Sequence, residues 1–219
     1  MNERTGLFAF LPRVGIGHTA PIIFPGVDSS LLTCCFATTL NSLTVDLIAR
    51  QKISGTHLTF GVLNQLPILP PDRFSTVDIL YIVPRVLELV YTAWDMQLFA
   101  KDIWEETNEE LREAILCRNA ECNAGAPSEM FTSRDSFPLP PFRWSEQRRA
   151  LIRAELDARI AKLYGLTRDE LRYILDPADV YGPDFPGETF RVLKEKEMRL
   201  YGEYQTRQLV LEVWDRAGY

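Results

Sequence analysis

The residues QLPILPP, 65–71, crowd Pro67, Pro70 and Pro71 into a few positions. Proline has no backbone donor and restricts the residue before it, so no helix or strand runs through such a block. The chain therefore reads as two regions, 1–71 and 72–219. The charge divides with them. Residues 1–71 hold Arg4, Arg13, Arg50 and Lys52 against Glu3, Asp28 and Asp46, a balance of +1. With a net charge of −6 overall, residues 72–219 carry −7. A strongly basic nucleic-acid binder is not indicated by this total. A local positive site in the first third is still compatible with it, because salt screens charges beyond about 8–10 Å.

The first region reads as a small β portion followed by a long helix. Leu7–Leu11 and Ala20–Phe24 are short apolar runs with Gly15 and Gly17 between them, the pattern of two strands joined by a turn. Two strands alone are marginal in water, so these predict a sheet continued elsewhere. Asp28 or Ser29 is placed to cap a helix running to about Arg50. Its apolar positions include Leu32, Cys35, Phe36, Leu40, Leu43, Leu47 and Ile48. Residues 31–49 contain Asn41, Asp46 and several threonines, so they read as a buried helix and not as a membrane span. Gly55 and Thr56 break the helix, and a short one is expected at about Leu58–Leu66.

The second region reads as helical. Leu80, Val83, Leu87, Val90, Tyr91, Trp94 and Leu98 recur every three or four residues and predict a helix over Val77–Trp104, with Pro84 beginning or kinking it. A helix is expected at about Asn108–Cys117, then a loop at about 120–143 whose FPLPPFR is the least helical part and reads as an extended linker. Ser145 opens a helix that Gly165 closes at Tyr164. Thr167-Arg-Asp-Glu170 is a capping box. Helices over about 187–200 and 203–216 complete the chain. The fold class expected is mainly α with a small N-terminal β portion.

Few residues carry chemistry. Gly-Ile-Gly-His lacks the third glycine of a dinucleotide fingerprint, and Pro21 stands where a helix would have to open, so a hairpin connection is the plainer reading. Arg13 and His18 flank that turn and offer contacts to a polyanion. The stretch ARQKISGTH, 49–57, sets Arg50, Lys52, Thr56 and His57 within eight residues, with Gly55 allowing close backbone approach. Such donors suit phosphates and base edges. Two cations at a helix end also simply complement its negative pole. Glu105, Glu106, Glu109, Glu110 and Glu113 form a charge run of the solvated kind. Cys34 and Cys35 sit in an apolar run and read as core, while Cys117, Cys122 and the two histidines lack metal-ligand spacing. No signal peptide is visible, and a reducing, cytoplasmic setting fits the cysteines.

Four strings in order, NERT…LPRVGIGHTAPIIF, LNSLTVDLIARQKISGTHLTFGVLNQLPILPP, residues 153–176 and GEYQTRQLVLEVWD, resemble one family across nearly the whole chain. They look like the C-terminal, target-recognition and helical region of large bacterial adenine-N6 DNA methyltransferases, of the type IIG restriction-modification and phage-defence kind. The resemblance implies double-stranded DNA as a partner, contacts at Arg50, Lys52, Thr56 and His57, to which the turn residues Arg13 and His18 are added as DNA-binding candidates, and a methyltransferase catalytic domain in cis or in trans. It implies S-adenosylmethionine for the parent enzyme. This chain departs from the family in lacking Asn-Pro-Pro-Tyr and a glycine-rich cofactor loop, both needed to methylate a flipped adenine. Pro140-Pro141-Phe142 comes after Leu139, which offers the amine no acceptor. The expectation is a C-terminal fragment, split subunit or decayed copy that contributes recognition and scaffold without catalysis or cofactor of its own, with an opening that falls inside the recognition region. A helical module docking on a separate methyltransferase subunit is the alternative. An independent enzyme using Cys117, Cys122 or the glutamates has no nucleophile and base at useful spacing.

Overall fold

The structure is a computed structural model describing residues 3–12, 14–17, 20–53, 55, 58–126 and 137–219. The described residues form helices and no strand. The helices are α1 (Ser30–Leu40), α2 (Leu43–Lys52), α3 (Phe60–Leu63), α4 (Thr76–Val90), α5 (Gln97–Glu106), α6 (Glu109–Cys122), α7 (Glu146–Leu163), α8 (Arg168–Leu175), α9 (Ala178–Tyr181), α10 (Arg191–Tyr201) and α11 (Gln205–Ala217). No single helix among the described residues is long and apolar enough to cross a membrane.

The N-terminal β portion is corrected. Backbone groups that a neighbouring strand would have paired are taken by side chains instead. The Thr5 and Gly6 N–H groups donate to Asp46 Oδ1 at 2.6 and 3.2 Å. The Phe8 N–H donates to Asn41 Oδ1 at 3.2 Å, and Asn41 Nδ2 donates back to the Phe8 carbonyl at 3.0 Å. One asparagine thus does for Phe8 what an adjacent strand would do. Ala20–Phe24 contains Pro21 and is succeeded by Pro25, each without a donor, and Phe24 is 85% exposed. Period and composition looked like strands; no ladder exists among the described residues to make them so.

The chain forms two compact units. The first comprises Met1–Phe8, Thr38–Arg73 and Gln147–Tyr219. Its core gathers Leu43 of α2, Ala154, Ala158 and Ala161 of α7, Leu171 and Leu175 of α8, Leu193 of α10 and Val210 and Trp214 of α11, with Phe190 and Tyr204 from the connections. The alanines every third or fourth residue along α7 let its neighbours approach closely. The Schellman motif at the end of α7 is formed by Leu166 N–H to the Ala161 carbonyl and Gly165 N–H to the Lys162 carbonyl, with Gly165 at φ +77°. The Thr167–Glu170 capping box is present as the sequence predicts.

The second unit comprises Ala9–Ala37 and Phe74–Glu146. Its principal packing is α4 against α6. Ser75 and Asp78 form a capping box that starts α4. The helix ends at Tyr91, well before the predicted Trp104, because Tyr91 is claimed from outside: its carbonyl accepts from Phe142 N–H at 2.8 Å and its hydroxyl donates to the Leu139 carbonyl at 3.1 Å. The segment from Phe137 to Trp144 is accordingly not a solvated linker. Leu139 and Phe142 are fully buried. Asn119 donates to the Pro140 carbonyl, Asn123 donates to the Pro141 carbonyl, and Asn123 Oδ1 accepts from Arg143 N–H. Prolines cannot reciprocate a helix or a ladder, so two amides from α6 and its C-cap take their carbonyls.

The long helix expected up to Arg50 is also divided, between α1 and α2. Ser42 caps α2, its hydroxyl accepting from Val45 N–H, and the Leu43 N–H is taken by Asp157 of α7 at 2.7 Å. At the other end of α1, the Glu106 carboxylate accepts from the Ser29 hydroxyl and the Ser30 N–H. A carboxylate at a helix N-terminus satisfies orphan donors and meets the positive end of the dipole.

Candidate functional site

Of the six residues expected to contact DNA, Arg13, His18, Thr56 and His57 lie outside the described residues. Arg50 and Lys52 stand in the last turn of α2. Both cations face the negative end of the helix dipole. Beyond that they differ completely. Arg50 is held in place from three sides: its Nε donates to Asp46 Oδ2 at 2.8 Å, its Nη2 donates to the Glu3 carbonyl at 2.6 Å, and its guanidinium carbon lies 4.9 Å from the centre of the buried Phe190 ring. Lys52 is exposed, and its Nζ donates to Gln65 Oε1 at 3.3 Å. The guanidinium is part of the framework, and the ammonium is available to solvent.

Asp46 is the hub that the sequence reading missed. It is buried, and it accepts from Thr5 N–H, the Thr5 hydroxyl, Gly6 N–H and Arg50. The i, i+4 spacing of Asp46 and Arg50 was the legible signal for half of this; the Thr5–Gly6 turn, arriving from some forty residues away, carried none. Asp157, likewise buried, holds Leu43 N–H and pairs with Arg4 at 3.4 Å. Burial drives the Asp157 carboxyl above its ordinary value, against the opposing pull of Arg4 and the Leu43 N–H. Glu3 pairs with Lys196 at 2.7 Å. Residues 3–8 are therefore strapped to the first unit by two buried carboxylates, one amide and one guanidinium.

Beside this strap lies an open cavity of about 600 Å³ within the first unit. One wall is the end of α2, with Leu47, Arg50 and Gln51, together with Ile53, Gly55 and Leu58. The other is contributed by Tyr173, Pro177, Phe185 and residues 187–189. From the ARQKISGTH stretch singled out in the sequence, Arg50, Gln51, Ile53 and Gly55 line this cavity, and Lys52 does not. Tyr173, 38% exposed, meets Tyr181 edge-on at 5.8 Å and Phe185 at 6.5 Å, and Tyr181 stacks on Phe185 at 5.2 Å.

Cys34 and Cys35 lie in the core and are not activated. Burial raises the Cys34 thiol well above its ordinary value and the Cys35 thiol to about 12. Cys122 donates to the Arg143 carbonyl at 3.2 Å. Among the described residues no group of three or more His, Cys, Asp or Glu side chains is arranged to hold a metal ion. Comparison with family models, with curated proteins and with solved structures finds no match to this chain.

Proposed function

We propose that this chain is the non-catalytic, C-terminal part of an adenine-N6 DNA methyltransferase of the restriction-modification or phage-defence kind: a helical scaffold that docks on the catalytic domain, in cis or in trans, and adds contacts to duplex DNA. The observation that carries the docking half is the non-helical segment before α1. Leu11, Val14, Ile22, Phe24 and Val27 are all exposed there, and the described residues of the segment form no ladder that would bury them. Several exposed apolar side chains in one segment suit burial against another protein body. The DNA half rests on Lys52 and on the concavity beside it, and on the resemblance of the surrounding string to a target-recognition region. S-adenosylmethionine belongs to the parent enzyme in this reading, since the chain carries neither Asn-Pro-Pro-Tyr nor a glycine-rich cofactor loop.

The test is reconstitution. An Asn-Pro-Pro-Tyr methyltransferase domain encoded beside this chain is purified alone and with it, and transfer of labelled methyl groups to duplex DNA is measured. The expected result is a stable complex and sequence-selective methylation only when both are present. Phe24→Asp should abolish complex formation while leaving the helical circular dichroism unchanged. A catalytic domain that binds and methylates identically without this chain overturns the reading.

A further inference from the structure

We infer that the cavity between the end of α2 and Tyr173 is a nucleobase site, receiving one unstacked base and not a phosphate. This deepens the DNA-facing half of the function proposed above and rests on it.

The charge of the cavity argues against an anion site. Arg4 and Arg50 both line it, but each already has a carboxylate partner, Asp157 and Asp46. Glu188 adds a negative charge at the wall, shared at 3.7 Å with Arg191 and Lys194. A bound phosphate would find two neutralised guanidiniums and a carboxylate. What remains unused among the described lining residues is neutral. Gln51, Tyr173 and Thr189 line the cavity, and none of the three side chains has a hydrogen-bond partner among the described residues. An amide and two hydroxyls present donors and acceptors together, which is what the edge of a base offers in return; glutamine pairs with adenine in this way.

The walls supply the other half of base recognition. Tyr173 gives an aromatic face held in position by Tyr181 and Phe185, and Gly187 lies so close to the Phe185 ring that a Cβ there would approach it to 3.0 Å. Leu47, Ile53 and Leu58 give apolar surface opposite. Aromatic platforms next to a few neutral polar groups bind bases stacked out of a strand. The volume lies in the range of small-molecule sites, about 300–1,000 Å³. Lys52, exposed and next in sequence to Gln51, does not line the cavity; in this reading it meets the backbone charge of the strand outside it.

The experiment is calorimetric titration of the whole chain with deoxyadenosine, thymidine, deoxycytidine and inorganic phosphate. Deoxyadenosine is expected to bind one site, and phosphate alone is expected not to bind. Gln51→Ala and Tyr173→Ala should each weaken the nucleoside by about tenfold, with Tyr173→Phe keeping most of the affinity because the ring remains. Gln51 is exposed, so an unchanged unfolding midpoint should accompany its loss, and Tyr173→Phe, which keeps the ring contacts with Tyr181 and Phe185, should leave the midpoint unchanged as well. Failure of every nucleoside to bind, or binding indifferent to both alanine variants, overturns the assignment. A duplex with one unpaired adenine identifies the source: displacement of the nucleoside by it, and not by the fully paired duplex, assigns the base to DNA. Equal binding of free nucleotide with no competition from the bulged duplex overturns the DNA source and assigns a free nucleotide. Nucleoside binding lost while Lys52-dependent duplex binding persists removes the pocket and leaves the function proposed above intact.

Discussion

Two irregular segments, one in each unit, are held against helices by a different balance of charged and neutral partners. Residues 3–8 are fastened mainly by charge: Asp46, Asp157 and Arg50 take the backbone and Arg4, with Asn41 at Phe8 the one neutral amide among them. Residues 137–144 are fastened by neutral amides, Asn119 and Asn123, and by the buried Leu139 and Phe142. Both solve the same problem, which is to satisfy carbonyls and amides that belong to no helix. The neutral solution carries its own apolar burial. The charged one requires each buried carboxylate to be fully partnered, because an unpaired buried charge costs more than the pair contributes. The first strap should therefore answer to pH and to loss of a single partner, and the second to loss of volume.

The largest effect expected is on the neutral side. Phe142→Ala empties a fully buried aromatic site and should cost about 3–5 kcal/mol of unfolding free energy, read by urea denaturation. A cost within error of zero would mean that residues 137–144 are not packed as described. Next comes the charged strap. Asp46→Ala removes the acceptor of four hydrogen bonds and strands Arg50, at a cost of about 3 kcal/mol. Arg50→Lys should recover part of what Arg50→Ala loses, since lysine keeps the charge but not the reach to both Asp46 and the Glu3 carbonyl. Asn119→Ala and Asn123→Ala come third, at about 1–3 kcal/mol each for carbonyls left unsatisfied. Hydrogen exchange at Phe142 should rise in both.

The smallest effect is the most diagnostic. Asp157 in the first unit and Glu106 in the second are both carboxylates at a helix start, yet they are displaced in opposite directions. Burial raises Asp157 above 3.8. At Glu106 burial pushes upward too, but hydrogen bonds from Ser29, Ser30 and Leu31 prevail and leave it below 4.5. In the native state Asp157 binds its proton more readily than in the unfolded chain. Its contribution favours folding below 3.8 and is lost as pH rises through the raised native value. Glu106 does the reverse, stabilising above 4.5 and losing that as pH falls through its lowered native value. Unfolding free energy measured against pH should therefore lose opposite slopes in Asp157→Asn and Glu106→Gln. Slopes of the same sign would break the contrast.

The helices after Pro71 were largely legible because their signals are local. The Thr167–Glu170 capping box and the Gly165 stop fix backbone geometry within a few residues. What the sequence concealed was long-range satisfaction. Leu7–Leu11 has the composition of a strand, but a strand is defined by its partner, and here Asn41 supplies that partner from a helix end. FPLPPFRW has the composition of a linker, and nothing local says that Asn119 and Asn123 wait for its carbonyls. The same limit applied to the site. Arg50 and Lys52 look equivalent along the chain; only Asp46, Glu3 and Phe190 converging on Arg50 separate them. Tyr173 and Phe185 are far from Gln51 along the chain, and only the fold brings them into one cavity.

That separation of two neighbouring cations leads to the most direct test of the proposed role. Duplex DNA binding by the whole chain is measured from low to physiological salt for the native sequence, Lys52→Ala and Arg50→Lys. Salt-dependent binding is expected, with Lys52→Ala lowering the slope of log K against log salt by about one while leaving the unfolding midpoint unchanged. Arg50→Lys is expected to lower stability more than it lowers affinity. Absence of duplex binding at low salt, or a salt slope that Lys52→Ala leaves untouched, would contradict the assignment of this end of α2 to DNA.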